Sequence, residues 1–438
     1  MNAGHRDRTS DRTIVVCKYQ PELLAALLDH EARTADVCLV IERSDVLYES
    51  PDPGLLGRCR KVYTVSGFDS LAELSAVAVD LRQTCPPVVQ VHNQDERSQF
   101  GSGYLRLLLD PSVPGARHHV ALRDKRLMKE LVGGAGVPVA RFRSLADPRD
   151  ADAVAAVARE LSAPLIVKPV AGYGASATEK VECGEELGAV AAGLKFEVGQ
   201  RAGQLMVEEF VPGEELAIDA IWSGGEPLTF VVHRYLYPRM QVLGGALDGS
   251  LILAPAEHPG LYARIKDMHK RFNPALGIHD GPSHLEVFVR EDGELVFSEV
   301  ATRPGGGWIQ LMIGAYHGRS TSDLIAEAAH TGSVTLPGAP WPHIGGLHIR
   351  PAAPGVIVSM PGDDELAAFP GAVAWHRRRE VGDRARISGP SDWYFHLVLG
   401  ADTEEGLYET CERAARTFTV ETAESAPPVR GRAVARRA

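Results

Sequence analysis

Residues 284–301, His-Leu-Glu-Val-Phe-Val-Arg-Glu-Asp-Gly-Glu-Leu-Val-Phe-Ser-Glu-Val-Ala, constrain this chain more than any other stretch. Two apolar runs flank Asp292-Gly293, and an Asp-Gly pair in that setting signals a two-residue hairpin turn, whose central positions need positive φ. Pairing outward from such a turn sets Glu291 against Glu294, Arg290 against Leu295 and Glu286 against Glu299. The last pair would face one another on an otherwise apolar ribbon. Opposed Cβ atoms lie roughly 4.5–5.5 Å apart, and like charges at that spacing destabilise a ribbon. Three resolutions exist. A hard divalent cation lies between the carboxylates, with a substrate phosphate completing its shell; or one Glu is protonated; or a three-residue loop slips the register and parts them.

Arg303 comes four residues after Glu299, and Pro304 with Gly305-Gly306-Gly307 then ends the strand. A period of two keeps Arg303 on the face of Glu299 until the chain turns. Two acids and an arginine beside a glycine turn suit a triphosphate, its magnesium ions, and the charge developing on a transferred phosphoryl group. The plain alternative is a salt bridge from Arg303 to one of the acids. Upstream, Leu165–Val170 reads as a short buried strand carrying Lys168, a costly placement unless the lysine is paired or reaches an anion. It runs into Ala171-Gly172-Tyr173-Gly174-Ala175-Ser176-Ala177, a small-residue loop whose backbone donors can approach phosphate. That loop is neither a Walker A sequence nor a Rossmann fingerprint. Lys125 begins a helical pattern with Leu127, Met128 and Leu131, stopped by Gly133, Gly134, Gly136 and Pro138. Leu205–Val211 reads as an apolar strand followed by Glu214 and Glu215, an edge suited to a purine with a carboxylate beyond it for ribose hydroxyls.

In this order and spacing the chain resembles the ATP-grasp superfamily, most specifically over roughly residues 115–335 and more loosely over its whole length. The resemblance implies ATP-binding roles for Lys125 and Lys168 and a phosphate loop containing Gly172, Gly174 and Ser176. It implies adenine recognition by Glu208, Phe210 and Val211, mostly through backbone atoms, and ribose recognition by Glu215, with Glu214 as the alternative. Glu286 and Glu299 match the ligands of magnesium (or manganese). Arg303, acting with Lys168, matches the arginine that steadies the transferred phosphate and an acyl-phosphate intermediate. The resemblance places residues 234–258 over an acceptor site and makes His233, Arg303, Gly306 and Trp308 candidates for substrate contact. Read from the residues alone, His233 is equally a satisfied structural histidine, and Trp308 a core tryptophan.

One departure marks a branch. Where most of the superfamily has Glu-x-Asn-x-Arg, this chain has Glu299-Val300-Ala301-Thr302-Arg303, and Ala301 cannot ligate a metal. An alanine there is similar to the L-amino-acid ligase branch, whose members form dipeptides. The implied activity joins a carboxylate, such as that of an amino acid, to an amine, such as that of a second amino acid. It proceeds through an acyl phosphate and releases ADP and phosphate. Two rival readings use the same residues: a bicarbonate-activating carboxylase, and an ATP-binding regulatory protein without turnover. No Ala-Met-Lys-Met-like biotinylation motif is present, and every charged role is filled. The resemblance also admits a homodimer.

With 438 residues, 45% apolar and 24% charged, the chain can bury two or three cores. A net charge of −11 argues against a nucleic-acid partner. No apolar run reaches the roughly 18 residues of a membrane span, and the polar start Met1–Arg8 lacks a signal-peptide core. Six scattered cysteines read as free thiols of a cytoplasmic protein. A strand at Thr13–Tyr19, a helix at Pro21–Ala32, a strand at Val37–Glu42, a helix at Ser70–Thr84 and a strand at Val88–Val91 predict an open parallel α/β sheet. Gln94, Asp95 and Glu96 follow its last strand, where open sheets bind ligands; an ordinary polar loop explains them equally. The expected class is α/β and α+β multidomain with an ATP-grasp fold: an N-terminal domain over 1–115, an ATP-grasp domain over 116–335 with its lid at about 140–212, a small β-rich C-terminal domain over 336–425 closing over the core, and a disordered basic tail over 426–438.

Overall fold

The computed structural model describes residues 10–110, 115–196, 204–242, 245–387 and 392–424. The β-branched run Thr13–Cys17 forms strand β1, buried along its whole length. It pairs in parallel with β2 (Asp36–Glu42) and β4 (Val88–Asn93), and β3 (Lys61–Val65) extends the sheet beyond β2. Both faces are covered, as a parallel sheet requires. Ile14 and Val16 pack on Leu23, Leu24 and Leu27 of the first helix, Pro21–Asp29. Val15 and Cys17 pack on Leu74, Val77 and Leu81 of the helix Leu71–Thr84. The predicted alternation is therefore present. It missed β3, whose Val62 is exposed at the sheet edge, and the helix Gln99–Leu109.

Four antiparallel strands form a second sheet: β5 (Phe142–Leu145), β6 (Leu165–Pro169), β7 (Glu179–Val181) and β8 (Leu205–Glu209), in the order β5-β8-β6-β7. Leu165, Val167, Leu205 and Val207 pack on the helices Ala151–Glu160 and Leu187–Gly193 through Val157 and Leu187. The strand period of two then turns Ile166, Lys168, Met206 and Glu208 to the opposite face.

The largest sheet has eight strands in the order β13-β12-β9-β10-β11-β14-β18-β16, every neighbour antiparallel. In chain order these are β9 (Glu214–Ser223), β10 (Glu226–Tyr235), β11 (Asp248–Ile252), β12 (Gly281–Val289), β13 (Leu295–Ala301), β14 (His343–Ile349), β16 (Ala372–Arg377) and β18 (Phe395–Ala401). The helix Pro259–Leu276 lays Ile265, Met268 and Phe272 on Ile218, Leu285 and Phe297. Within residues 234–258, strand β11 closes the gap between β10 and β14. Gly249 permits that approach: a Cβ there would lie 2.6 Å from the Gly346 carbonyl oxygen. Strands β14, β16 and β18 continue the same sheet, while β15 (Gly355–Ser359), β17 (Arg384–Ala385) and β19 (Glu421–Ala423) form a small separate one. The basic tail lies outside the described residues. Among those residues no helix is long and apolar enough to cross a membrane.

Candidate active site

The β12–β13 hairpin does not turn on Asp292-Gly293 alone. Arg290 N–H donates to the Glu294 carbonyl at 3.0 Å and Gly293 N–H to the Arg290 carbonyl at 2.8 Å, with Gly293 at φ +86°. The loop thus has three residues, 291–293, and Val289 faces Leu295. Expected pairings of Arg290 with Leu295 and Glu291 with Glu294 are off by one. A bulge at Ser298 takes the slip back: Val287 faces Phe297, and Glu286 faces Glu299. The acid pair forms as expected, by two compensating irregularities.

A lysine answers the charge of that pair. Lys125 opens the helix Lys125–Gly134, capped by Asp124, and its backbone N–H donates to the Val170 carbonyl at 3.0 Å, just past Lys168. Its ammonium contacts Glu299. Burial pushes the Glu299 carboxyl up, but the Lys125 and Lys168 charges outweigh it and hold the group at about 2. Lys168 pairs with Glu208 at 2.6 Å. Lys129, one helical turn after Lys125, reaches the same carboxylate at 3.0 Å and is only 1% exposed. Burial depresses its ammonium pKa. Its spacing of four from Lys125 is a signal that sequence reading passed over. Beyond the backbone role expected of Glu208, its side chain bridges two buried lysines, which overcome burial and hold it at about 2.

These groups line a cavity of about 350 Å³ together with Glu215, Glu286 and the apolar Ile166, Phe288 and Phe297. That volume suits a small-molecule ligand. The expected nucleotide contacts Gly172, Gly174, Phe210 and Val211 line it as well. Ser176 does not. It is buried, and its N–H donates to the Tyr173 carbonyl at 3.0 Å, closing the loop on itself. Gly174, Ala175 and Ala177 hold φ of +57°, +57° and +51°, a left-handed conformation that is strained for the two alanines. Burial, then the Glu286 charge, pushes the Glu215 carboxyl up to about 8.

Arg303 is not among the cavity-lining residues and faces the N-terminal sheet, where its Nε donates to Glu96 at 2.6 Å. Glu96 also accepts from Arg123 at 2.8 Å, and Arg123 reaches the Gly172 carbonyl at 3.1 Å. Gln99 donates to Thr302 Oγ1 at 2.6 Å. The loop after β4 is thus tied to the segment that follows Glu299, and the salt bridge that Arg303 makes goes to Glu96 rather than, as in the plain alternative, to the hairpin acids.

Two of the candidate substrate contacts are buried side chains. His233 is fully buried, with Nε2 at 2.9 Å from Asp219 Oδ2 and Nδ1 buried without a hydrogen-bond partner. Trp308 is 1% exposed, donates to Ser250 Oγ at 3.0 Å and packs with Ile309 and Met312, so it belongs to the core. Gly306 faces open space. His284, directly opposite Ala301, was not foreseen, although it stands two residues before Glu286 on the same face. Its Nδ1 lies 3.0 Å from Asp219 Oδ2 and its Nε2 3.7 Å from Glu286 Oε1. Burial opposes its protonation, but Asp219 outweighs that and raises it to about 10.

Residues 161–311 match the ATP-grasp domain. The chain is 29% identical over 255 residues to an L-arginine-specific L-amino acid ligase of Bacillus subtilis, covering 58% of this chain and 60% of that one. It is 26% identical over 287 residues to a D-alanine–D-alanine ligase of Desulfotalea psychrophila, covering 62% of this chain and 81% of the relative. The crystal structure of an L-amino acid ligase from Bacillus licheniformis superposes with a TM-score of 0.70 at 17% identity, over 95% of this chain and all of that one. Residues 161–311 are thus an ATP-grasp domain, and the chain as a whole shares the fold of that ligase structure.

Proposed function

We propose that this chain is an ATP-dependent ligase that joins a carboxylate to an amine, each supplied by an amino acid. The observation that carries the reading is one cavity in which an opposed pair of glutamates meets three lysines, with Arg303 anchored beside it. The likeness to amino-acid ligases supports it. Two adjacent carboxylates are hard oxygen donors and fit magnesium or manganese. Glu286 and Glu299 would hold the ion, which would neutralise phosphate charge.

The chain's own residues supply the rest. Lys125, Lys129 and Lys168 surround the triphosphate with positive charge, and the loop at Gly172 and Gly174 covers it. A carboxylate oxygen of the first substrate attacks the γ-phosphorus, the bond to ADP breaks, and an acyl phosphate forms. Arg303, steadied by Glu96, faces the charge on the transferred group. The amine nitrogen of the second substrate then attacks the acyl carbon, loses a proton and expels phosphate. The lid sheet excludes water, which would otherwise hydrolyse the acyl phosphate.

The test is phosphate release from MgATP with amino acids offered singly and in pairs, with mass spectrometry of the products. The expected result is ADP, phosphate and a product lighter than its two substrates by one water. Absence of amino-acid-dependent turnover in protein that still binds ATP would overturn the reading.

A further inference from the structure

Asp219, on β9, is 6% exposed and has no part in the proposed reaction so far. A carboxylate buried this deeply is costly unless N–H donors satisfy it. Three do, from three separate segments. His233 on β10 lies at 2.9 Å and His284 on β12 at 3.0 Å, both from Oδ2; the backbone N–H of Gly305 donates to Oδ1 at 2.8 Å. Asp219 therefore ties the turn that follows Arg303 to the strand that carries Glu286. Charge-assisted bonds of this kind are short and strong.

Gly305 carries the same message independently. A Cβ there would lie 2.9 Å from Asp219 Oδ1, 3.1 Å from His284 Nδ1 and 2.6 Å from Ile309 Cγ2, so only glycine lets the turn seat on the carboxylate. On its far side the turn is backed by the Trp393 ring, 3.0 Å from where a Cβ of Gly307 would stand. Gly306, between these two clamps, faces open space.

We propose that Asp219 is a positioning residue: through Gly305 and His284 it sets the Gly305–Gly307 turn against the Glu286–Glu299 hairpin, and so places the reacting acyl group beside the phosphate. The inference rests on the ligase reading above. It predicts a defect in coupling rather than in nucleotide binding, because Asp219 is not among the residues lining the cavity.

The test uses Asp219→Asn, which keeps the shape but turns a donor toward one of its three N–H partners. Gly305→Ala disturbs the same bond from the other side. Amide formed and phosphate released are measured together, with the KM for ATP and hydrogen exchange of peptides spanning residues 303–309. Displacement of a reacting group by about an ångström costs on the order of a hundredfold, so amide formation falls by about tenfold or more. Phosphate released per amide rises several-fold, the KM for ATP stays within about twofold, and the turn exchanges faster. A folded variant with an unchanged phosphate-to-amide ratio and an unchanged exchange rate overturns the proposal, since a purely structural role lowers all activities in proportion. If the unaltered protein forms no amide, the ligase reading fails instead. Exchange of the turn then decides alone, and retained protection in both variants overturns the role of Asp219.

Discussion

Replacing Glu208 by Gln should destabilise the ATP-free protein by several kilocalories per mole, and two independent routes give the size. Glu208 is 5% exposed and is the shared anion of Lys129 and Lys168, at 3.0 and 2.6 Å. Removing one partner of a buried ion pair typically costs about 3–5 kcal/mol. Holding the carboxyl at about 2 rather than the ordinary 4.5 corresponds to about 3 kcal/mol in favour of the folded state. The sign follows from linkage. A depressed folded pKa contributes stability that is fully present above the unfolded pKa and is lost as pH falls from there toward the folded value. The gap between the unaltered protein and Glu208→Gln should therefore be about 3 kcal/mol at pH 7 and narrow by about 0.8 kcal/mol at pH 4. Urea unfolding, followed by tryptophan fluorescence at the two pH values without nucleotide, measures it. A difference below about 1 kcal/mol at pH 7, or one that does not narrow with acid, would refute the view that Glu208 is the anion on which both lysines depend.

Four other outcomes follow from the same geometry. Arg303→Ala should lower amide formation by about a hundredfold to a thousandfold with ATP affinity little changed, measured by steady-state ligation and nucleotide titration; near-normal turnover would remove Arg303 from the chemistry. Glu96→Gln loosens the guanidinium from the N-terminal sheet and should raise the KM for the carboxylate substrate more than that for ATP, which parallel titrations of the two substrates would show. Glu215 has a folded pKa raised to about 8, so the folded state is penalised increasingly as pH rises from the unfolded value toward 8. Glu215→Gln should accordingly stabilise the nucleotide-free protein more at pH 9 than at pH 5, and equal melting-temperature shifts would contradict the assignment. Gly293→Val forces a β-branched residue to φ +86° and should cost about 1–2 kcal/mol in urea unfolding; no loss would mean that the three-residue loop is not what sets the hairpin.

Much was legible from neighbours in the chain. The apolar runs around Asp292-Gly293 announced a hairpin, Lys168 in a buried strand announced a partner or an anion, and the β-branched run from Thr13 announced a buried parallel strand. Each of these rests on period, turn chemistry or the cost of a buried charge, and those act within a few residues. Strand β11 escaped because its glycine sequence has no such period; it exists through close backbone approach to β14, visible only in three dimensions.

The sequence by itself determined the hairpin that carries Glu286 and Glu299, the buried strand of Lys168 and most of the charges that the cavity contains, though not Lys129. Only the tertiary structure decided how they pair. Loop length and a bulge at Ser298 had to cancel for Glu286 to face Glu299. Lys129 had to come through the helix to share Glu208 with Lys168, and Glu96 had to arrive from another sheet to hold Arg303. Asp219 gathers donors 14, 65 and 86 residues away. The physical reason is that local periodicity fixes only which face a side chain takes, whereas the partner of a buried charge is whichever group the packing of distant segments brings within hydrogen-bond reach.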